Sequence, residues 1–316
     1  MNVVTRAAIA SAAALWLCAG AGSAEAKPAN LTVLGGPIGG TWEPVSAGIS
    51  KVLSDAGVPT TAEVGAGLSN LINVSVGKGD IALLVSTAGP DGANAVPPFK
   101  TRITNVRGLA ALYPNYQHTI VRADSGIASL QDLKGKRLAT GAIGSATAQA
   151  MSQILAAAGV DEAGMQVQRG SFTFGANALK DRNVDVLNFF TGAPNGTTVE
   201  LFTTGTMKLL PIPDDVGAAM KKLNEGYSFR SIPANSYPGQ TEPVATISND
   251  SMLIVNAKLS DDDAYWITRT LAENQDKLRS THAVLGELDK NIMADIAGLP
   301  VHPGALRYYK EVGAAR

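Results

Sequence analysis

The chain has 316 residues, with 26 lysines and arginines against 27 aspartates and glutamates, so its formal net charge is −1. Hydrophobic residues make up 45% of the sequence, which excludes a disordered chain because enough apolar surface is present for a core. A nearly neutral chain also lacks the basic surface from which nucleic-acid binders draw most of their affinity. The length predicts about two domains, at roughly 100–200 residues each.

The first 26 residues have the pattern of a cleaved export signal. Arg6 precedes an apolar run at 7–20, and the residues at 24–26 are small at both ends, as a cleavage site requires. Cys18, the single cysteine of the chain, lies in this segment. Its lipidation is the alternative, but Leu17 stands where a lipobox needs a small residue. We therefore expect export, cleavage after residue 26 and a mature chain without cysteine.

Short apolar runs alternate with helical periodicity at the start of the mature chain. The predicted elements are a strand at 31–34, a helix from Thr41 to Gly57, a strand at 60–64, a helix capped by Ser69 and a strand at 81–85. The last run is uninterrupted and apolar, which is typical of a parallel strand buried on both faces. This β-α-β-α-β order predicts a doubly wound α/β unit.

The same alternation begins again after Tyr113 and Pro114. Its predicted elements are a strand at 119–121, a short helix at 130–133, a strand at 137–140, a helix ending at Gly159 and a strand at 184–190. Residues 231–242 are rich in Pro, Ser and Gly and predict a loop, and 251–255 return to a strand.

Two further predicted helices end the chain without a sheet of their own, so we expect them to pack on the first domain. These helices span 261–278 and 283–296. The resulting prediction is two lobes, with residues 27–116 and 250–316 in lobe I and 117–249 in lobe II, and with chain crossings near 114–120 and 243–252.

Two lobes joined by a double crossing enclose a cleft, and ligands of open α/β sheets bind beyond the carboxyl ends of the strands. The loops at these positions consist mostly of Gly, Ser, Thr and Asn: 39–42, 65–70, 86–87, 144–147 and 192–195. Gly144–Thr147 is the most informative, because free N–H groups and two hydroxyls at a helix start suit an anion. An ordinary capped helix is the alternative there. Trp42 and Tyr113 lie beside the predicted cleft, as core residues or as ligand contacts.

Motifs of catalysis, metal binding and nucleotide binding are scarce. Residues 35–41 resemble a P-loop but lack its lysine, so triphosphate binding is not expected. The three histidines lie far apart, without a His-Glu-x-x-His pattern or a nucleophile elbow. We therefore predict a protein that is not an enzyme and that needs no cofactor or metal.

Nine segments, in sequence order, carry a resemblance to a known family. They are Gly39–Trp42, Arg107–Pro114, Val121–Ile127, Asp132–Arg137, Gly144–Thr147, Thr191–Pro194, Ile232–Gln240, His302–Ala305 and Tyr308-Tyr309. Together they resemble the TAXI family of TRAP-transporter substrate-binding proteins over almost the whole mature chain. The first glycine-rich loop departs from the usual family pattern at Pro37-Ile38, and Asn188–Phe190 is bulkier than expected, which predicts a narrower pocket.

The resemblance implies a type II periplasmic-binding fold, an α/β architecture of two lobes. Each lobe would hold a doubly wound, mostly parallel sheet, and two hinge crossovers would connect them. The implied ligand is a small organic acid, such as a glutamate-like dicarboxylate. The implied partners are the subunits of a TRAP membrane permease, the implied location is the periplasm, and we expect a monomer that does not bind nucleic acid.

Ligand contacts follow from the matching positions and from the places of these residues beside the cleft. The predicted contacts are Gly40, Thr41, Trp42, Asn70, Ser86 and Tyr113 in lobe I, and Gly144, Ser145, Thr147, Gly192, Ala193 and Pro194 in lobe II.

Three alternatives stay open from the sequence. The first is a receptor of the same fold that serves an ABC transporter, for a thiamine precursor or a sulfonate. The second is a secreted enzyme, which would need a nucleophile paired with a base that the scattered histidines do not supply. The third is a sensor or surface antigen that kept the fold and lost transport.

Overall fold

The structure, a computed structural model, describes residues 27–36, 41–65, 67–143 and 145–314. The predicted export signal, with Cys18, lies outside the described residues, and so do the predicted contacts Gly40 and Gly144.

Within these ranges the chain forms ten strands and eleven α-helices. The strands are β1 (Leu31–Leu34), β2 (Thr60–Glu63), β3 (Ile81–Val85), β4 (Val106–Arg122), β5 (Arg137–Thr140), β6 (Gln166–Arg169), β7 (Val186–Thr191), β8 (Met207–Leu209), β9 (Tyr227–Ile232) and β10 (Val244–Asn256). The helices are α1 (Trp42–Asp55), α2 (Ser69–Ser75), α3 (Ala88–Ala93), α4 (Ala146–Ala157), α5 (Phe172–Lys180), α6 (Gly196–Thr203), α7 (Asp214–Leu223), α8 (Asp261–Glu273), α9 (Gln275–Arg279), α10 (Lys290–Ala294) and α11 (Pro303–Glu311).

The strands form one sheet in the order β2-β1-β3-β10-β4-β7-β5-β6, with β9 beside β10 and β8 beside β4. The outer strands pair in parallel, as β1 does with β2 and β3, and β5 with β6 and β7. Strands β4 and β10 run antiparallel to each other and to their other neighbours. The predicted α/β class is confirmed, with parallel outer strands and an antiparallel centre.

The regions predicted for the two chain crossings lie inside long strands, where the sequence patterns predicted only short strands at 119–121 and 251–255. The first part of β4 pairs with β10, and its last part pairs with β7 from Tyr116 to Val121. Likewise, β10 pairs with β9 over 244–249 and with β3 over 251–255. Continuous strands keep the backbone hydrogen-bonded as it passes between the lobes, which links both sheets into one. Strand β4 continues through Pro114, although proline removes a ladder donor, and a register shift lies nearby.

The buried apolar residues divide into four clusters that respect the predicted lobes. Two clusters contain only residues from 31–113 and 252–314, with α1, α8 and α11 on one face of the sheet and α2 and α3 on the other. The other two contain only residues from 116–247, with α4 and α7 on one face and α5 and α6 on the other. This division supports two lobes, whose exact boundaries stay a prediction.

The end of the chain is less helical than we predicted. The helix expected over 261–278 is interrupted at Asn274, and the helix expected over 283–296 is a short 3-10 turn followed by α10. Asp289 explains the second break, because its carboxylate accepts from the main-chain N–H groups of Asn291 and Ile292 and starts a new helix. The sequence patterns missed α3, β6, α5, α6, β8, α7, β9 and α11.

Candidate functional site

One face of the central strands carries a row of buried polar side chains. Tyr113, Asn115, Gln117 and Thr119 alternate along β4 and therefore point to the same side of the sheet. Neighbouring strands extend the row with buried polar residues of their own: Thr140 of β5, Asn188 of β7, and Asn249 and Ser251 of β10. We call these eight residues the polar stripe.

The polar stripe separates two apolar cores. At one end, Tyr113 packs in the cluster that includes Val45 and Ile49 of α1. At the other end, Val121 belongs to the cluster that contains Met151 of α4. The stripe therefore lies on the face that α1 and α4 cover, where lobe I meets lobe II.

The lobe I end of the stripe is tied together by hydrogen bonds on Ser251. Trp42 at the start of α1 donates its indole N–H to the Ser251 Oγ at 3.0 Å. The amide nitrogen of Asn115 donates to the same oxygen at 2.8 Å and to Asn249 Oδ1 at 3.3 Å. Trp42, a predicted ligand contact, thus lies at the stripe.

Removing the Ser251 hydroxyl is expected to lower the free energy of unfolding by about 1–2 kcal/mol, because two buried donors lose their acceptor. The variant Ser251→Ala can be compared in urea unfolding followed by tryptophan fluorescence. Ser248→Ala is the control on the same strand, since the Ser248 hydroxyl makes one long bond of 3.3 Å to the Ser228 carbonyl. If both variants lose the same free energy of unfolding, the Ser251 hydroxyl is not the shared acceptor of Trp42 and Asn115.

The hydroxyl of Tyr113 is buried in the stripe without a hydrogen-bond partner among the described residues. Burial raises the pKa of Tyr113 to about 12, against a smaller lowering from nearby Ser251 and Trp42. Neither neighbour has the geometry of a hydrogen bond to this oxygen, so Tyr113 remains able to donate to or accept from a bound group.

The lobe II end of the stripe has more free polar atoms. Thr119 lies directly opposite Asn188 in the β4–β7 pair, and the Thr140 hydroxyl donates to Asn188 Oδ1 at 2.7 Å. The Asn188 amide nitrogen, the Thr119 hydroxyl and both amide atoms of Gln117 have no partner among the described residues. These are the atoms that the chain leaves available for a ligand.

Helix α4 begins directly after Ser145, where a helix start was predicted. The Ser145 side chain already has a structural role there, because it caps the helix. The Ser145 Oγ accepts from the Ala148 N–H at 3.2 Å and caps the helix. Gly141 packs against Ser145 and Thr147 so closely that a Cβ at this position would overlap them. A ligand contact by Ser145 or Thr147 stays a prediction.

The loop after β7 faces lobe I. Gly192, Ala193 and Pro194 line a pocket of about 190 Å³ together with Tyr113 and parts of the 283–292 segment. A Cβ at Gly192 would press on the Val284 side chain, so glycine permits this close approach. The structure therefore brings these four predicted residues together.

A larger pocket of about 540 Å³ lies elsewhere, between α3 and residues 297–300. None of the predicted ligand contacts lines it.

Asn70 and Ser86 bond to main-chain groups of the protein, and their predicted contact with a ligand stays a prediction. The Asn70 amide nitrogen donates to the carbonyls of Gly35 and Leu83 at 2.9 and 2.8 Å. The Ser86 hydroxyl donates to the Gly226 carbonyl at 2.6 Å and accepts from the Asp250 N–H at 2.9 Å. Loop composition cannot reveal this difference, since the same side chains serve a ligand or the main chain. Contacts of either residue with a ligand are thus not supported by the geometry.

Thr41 stands at the N-cap position of α1, as predicted, but its hydroxyl makes no capping hydrogen bond. Its proposed contact with a ligand is therefore compatible with the described hydrogen bonds of the helix.

Two carboxylates near the junction of the lobes, those of Asp91 and Asp250, are paired with other side chains. Asp91 accepts from Gln149 at 3.2 Å and from Asn224 at 2.8 Å, contacts that join α3 to lobe II. Burial raises the pKa of Asp91, and these two amides oppose the increase. On the opposite face from Ser251, Asp250 forms a salt bridge of 2.6 Å with Arg230. The eight residues of the polar stripe itself are all uncharged.

The described residues give no metal centre: no group of three or more His, Cys, Asp and Glu side chains could hold an ion there. His118 is fully buried and lies 2.6 Å from the Tyr237 hydroxyl. Burial lowers the pKa of His118 to about 4, so it is neutral at pH 7. In the described part of the chain, no helix has the length and apolar character needed to cross a membrane.

Sequence reasoning missed most of the polar stripe: Asn115, Gln117, Thr119, Thr140, Asn188, Asn249 and Ser251. One pattern could have revealed part of it. Polar residues occupy alternate positions from 113 to 119, next to the strand that was predicted at 119–121.

Comparison with solved structures places the fold among periplasmic solute-binding proteins. The periplasmic aliphatic sulphonate binding protein SsuA of Escherichia coli is 17% identical, with a TM-score of 0.53, over 90% of this chain and 84% of SsuA. A Xanthomonas citri protein bound to ATP is 13% identical, with a TM-score of 0.53, over 91% of this chain and 96% of that one. These likenesses show the fold, and the predicted type II periplasmic-binding architecture is confirmed.

The chain belongs to the NMT1-like family, whose profile matches residues 33–313. The match covers both predicted lobes and every residue of the polar stripe.

Proposed function

We propose that the protein is a periplasmic solute receptor, which binds a small polar organic molecule between lobes I and II and delivers it to a membrane transporter. The observation that carries the proposal is the polar stripe, a row of buried polar side chains between two apolar cores. The predicted lobe boundaries, 116/117 and 249/250, both fall within this row. Binding without chemistry suits a site whose residues are all uncharged.

Contacts with both lobes would couple binding to closure. A solute that touches Trp42 and Tyr113 in lobe I and Gln117 and Asn188 in lobe II binds the closed arrangement better than an open one. It therefore shifts the population toward closure, with β4 and β10 as the connecting strands. We retain Thr41, Thr147 and Gly192–Pro194 as proposed contacts around this centre.

The proposed transporter is a TRAP permease, on the strength of the nine segments that resemble the TAXI family. The proposed solutes are correspondingly small organic acids of the glutamate-like or dicarboxylate type. An ABC transporter is the second candidate, since the solved structure of similar fold is a sulphonate-binding protein. A permease without an ATPase encoded beside this protein would favour the first candidate, and an ATPase would favour the second.

A thermal-shift screen of the mature chain from residue 27 tests the receptor function. Dicarboxylates, amino acids, keto acids and alkanesulfonates are the probes, and a solute that binds only the native state raises Tm. At a concentration 100 times its Kd, such a solute contributes about 2.7 kcal/mol to stability. Calorimetry then gives the stoichiometry, which is expected to be one solute for each chain.

Trp42→Ala is expected to weaken binding of any solute found at least tenfold, because it removes the aromatic side chain at the lobe I end of the stripe. Phe174→Ala is the control, since Phe174 is an exposed aromatic residue on α5 of lobe II. Unchanged affinity of the Trp42 variant in calorimetry would move the site away from the stripe.

A further inference from the structure

Four polar atoms at the lobe II end of the stripe have no hydrogen-bond partner among the described residues. They are both amide atoms of Gln117, the hydroxyl of Thr119 and the amide nitrogen of Asn188. Thr119 faces Asn188 across β4 and β7, and Gln117 is the next residue of β4 on the same side. All three side chains are at most 1% exposed. Unpaired polar atoms are costly when buried, so four together indicate a partner from outside the chain.

Asn115 shows that missing partners are not a general property of the stripe. It stands two residues before Gln117 on the same face of β4, and its amide nitrogen bonds to both Asn249 and Ser251. The Asn188 amide is only partly hydrogen-bonded. Its oxygen accepts from the Thr140 hydroxyl, and its nitrogen has no partner among the described residues. Apart from the Tyr113 hydroxyl, the free atoms of the stripe therefore lie at the lobe II end.

The chemistry of these atoms favours a neutral group over an anion. Whichever way the Gln117 amide is turned, it offers one oxygen acceptor and one NH₂ donor. A carboxylate or sulfonate only accepts, so the Gln117 oxygen would stay unpaired and a negative charge would be buried among uncharged side chains. Arg230 cannot compensate such a charge, because it lies on the other face and pairs with Asp250.

We propose that Gln117, Thr119 and Asn188 bind a neutral amide group of the solute, either a primary carboxamide or a group with the same adjacent donor and acceptor. An amide donates to the Gln117 oxygen and accepts from its NH₂, while the Asn188 NH₂ donates to the remaining lone pair of the amide oxygen. The Thr119 hydroxyl, which can also accept, takes the second N–H of a primary carboxamide. This inference rests on the proposed receptor function and assigns the chemical class of one end of the solute.

The first test compares two leucine variants of the mature protein without any solute. Asn115→Leu removes an amide that the fold uses, and it is expected to lower Tm by roughly 2–6 °C. Gln117→Leu removes an amide that the fold does not use, and Tm is expected to stay unchanged or to rise. If Gln117→Leu lowers Tm as much as Asn115→Leu, the Gln117 amide is structural, through water or protein, and the proposal is overturned.

The second test uses pairs of probes that differ only in an amide or a carboxylate: glutamine with glutamate, and succinamate with succinate. The amide member is expected to raise Tm more, and Gln117→Leu is expected to remove this preference. An equal or larger shift with the carboxylate member overturns the amide assignment, as does the absence of a shift with every amide probe. Tm shifts with dicarboxylates or sulfonates alone would also overturn the amide assignment, but they would support the proposed receptor function. No shift with any probe of the wider screen would count against both.

Discussion

Replacement of Tyr309 by alanine is expected to lower the free energy of unfolding by about 3–5 kcal/mol, the usual cost of removing a large aromatic side chain from a core. Tyr309 is fully buried on α11 in the core of lobe I, and its hydroxyl donates to the Leu109 carbonyl of β4 at 2.9 Å. The side chain therefore anchors the last helix to the strand that crosses between the lobes. Urea unfolding monitored by circular dichroism measures the loss.

The conservative variant Tyr309→Phe separates packing from hydrogen bonding. It keeps the ring and removes the hydrogen bond to the Leu109 carbonyl, so a loss of about 1–2 kcal/mol is expected. Tyr265→Phe is the control, since that hydroxyl bonds to Glu311 at the protein surface. A loss below about 1 kcal/mol for Tyr309→Ala would show that α11 is not part of the cooperative core.

Substitution of Asp185 by asparagine is expected to cost about 2–3 kcal/mol at pH 7, because it breaks a network of partly buried charges. The Asp185 carboxylate accepts from the Arg137 guanidinium at 2.7 and 3.1 Å, and Arg122 lies at 3.6 Å. Arg122 is itself buried, so the variant removes a nearby negative charge from a guanidinium with little access to water. Glu200→Gln is the control, since its exposed carboxylate pairs with Lys180 where solvent screens the charges.

Acid should abolish the difference between Asp185→Asn and the wild type. The hydrogen bonds from Arg137 are the main reason that the pKa of Asp185 falls from 3.8 to about 2. A carboxyl whose pKa is lower in the folded state contributes its full stabilisation above its unfolded pKa and loses it as pH falls toward the folded value. The difference in unfolding free energy should thus be constant from pH 7 to about pH 5 and shrink between about pH 4 and 2. A constant difference down to pH 2 would contradict the role given to this ion pair.

Uninterrupted apolar runs were the easiest parts of the fold to predict. The strand expected at 81–85 has these same bounds in the structure, because its apolar run is buried on both faces and lies between turns. The strand expected at 137–140 also has its predicted bounds, although it begins with Arg137. Helix starts were also predicted where a side chain caps them, as Ser145 caps α4. The helix predicted at 283–296 was wrong over most of its length. The apolar residues of this segment pack on lobe I from a largely irregular backbone, so their periodicity did not indicate a helix.

The predicted ligand contacts stay a prediction, but the structure shows which of these residues lie together. Glycine-rich and hydroxyl-rich loops correctly indicated the strand ends, and Trp42, Tyr113 and Gly192–Pro194 do lie at the junction of the lobes. Asn70 and Ser86 look similar in sequence but bond to main-chain groups of distant segments. Whether a polar side chain faces a ligand or a carbonyl depends on which strand lies next to it.

The sequence by itself determined the α/β class, since this depends on local apolar patterns and on turn residues. The lobe boundaries and the crossing regions stay predictions from the same patterns. Only the tertiary structure decided that the crossings are continuous strands and that a polar stripe runs along them. Asn115 and Ser251 are 136 positions apart in sequence, yet they form one hydrogen bond across β4 and β10. Gln117, two residues further along β4, finds no such partner. Partners that come from remote strands exist only after the sheet has assembled, and their presence or absence decides which polar atoms stay free for a solute.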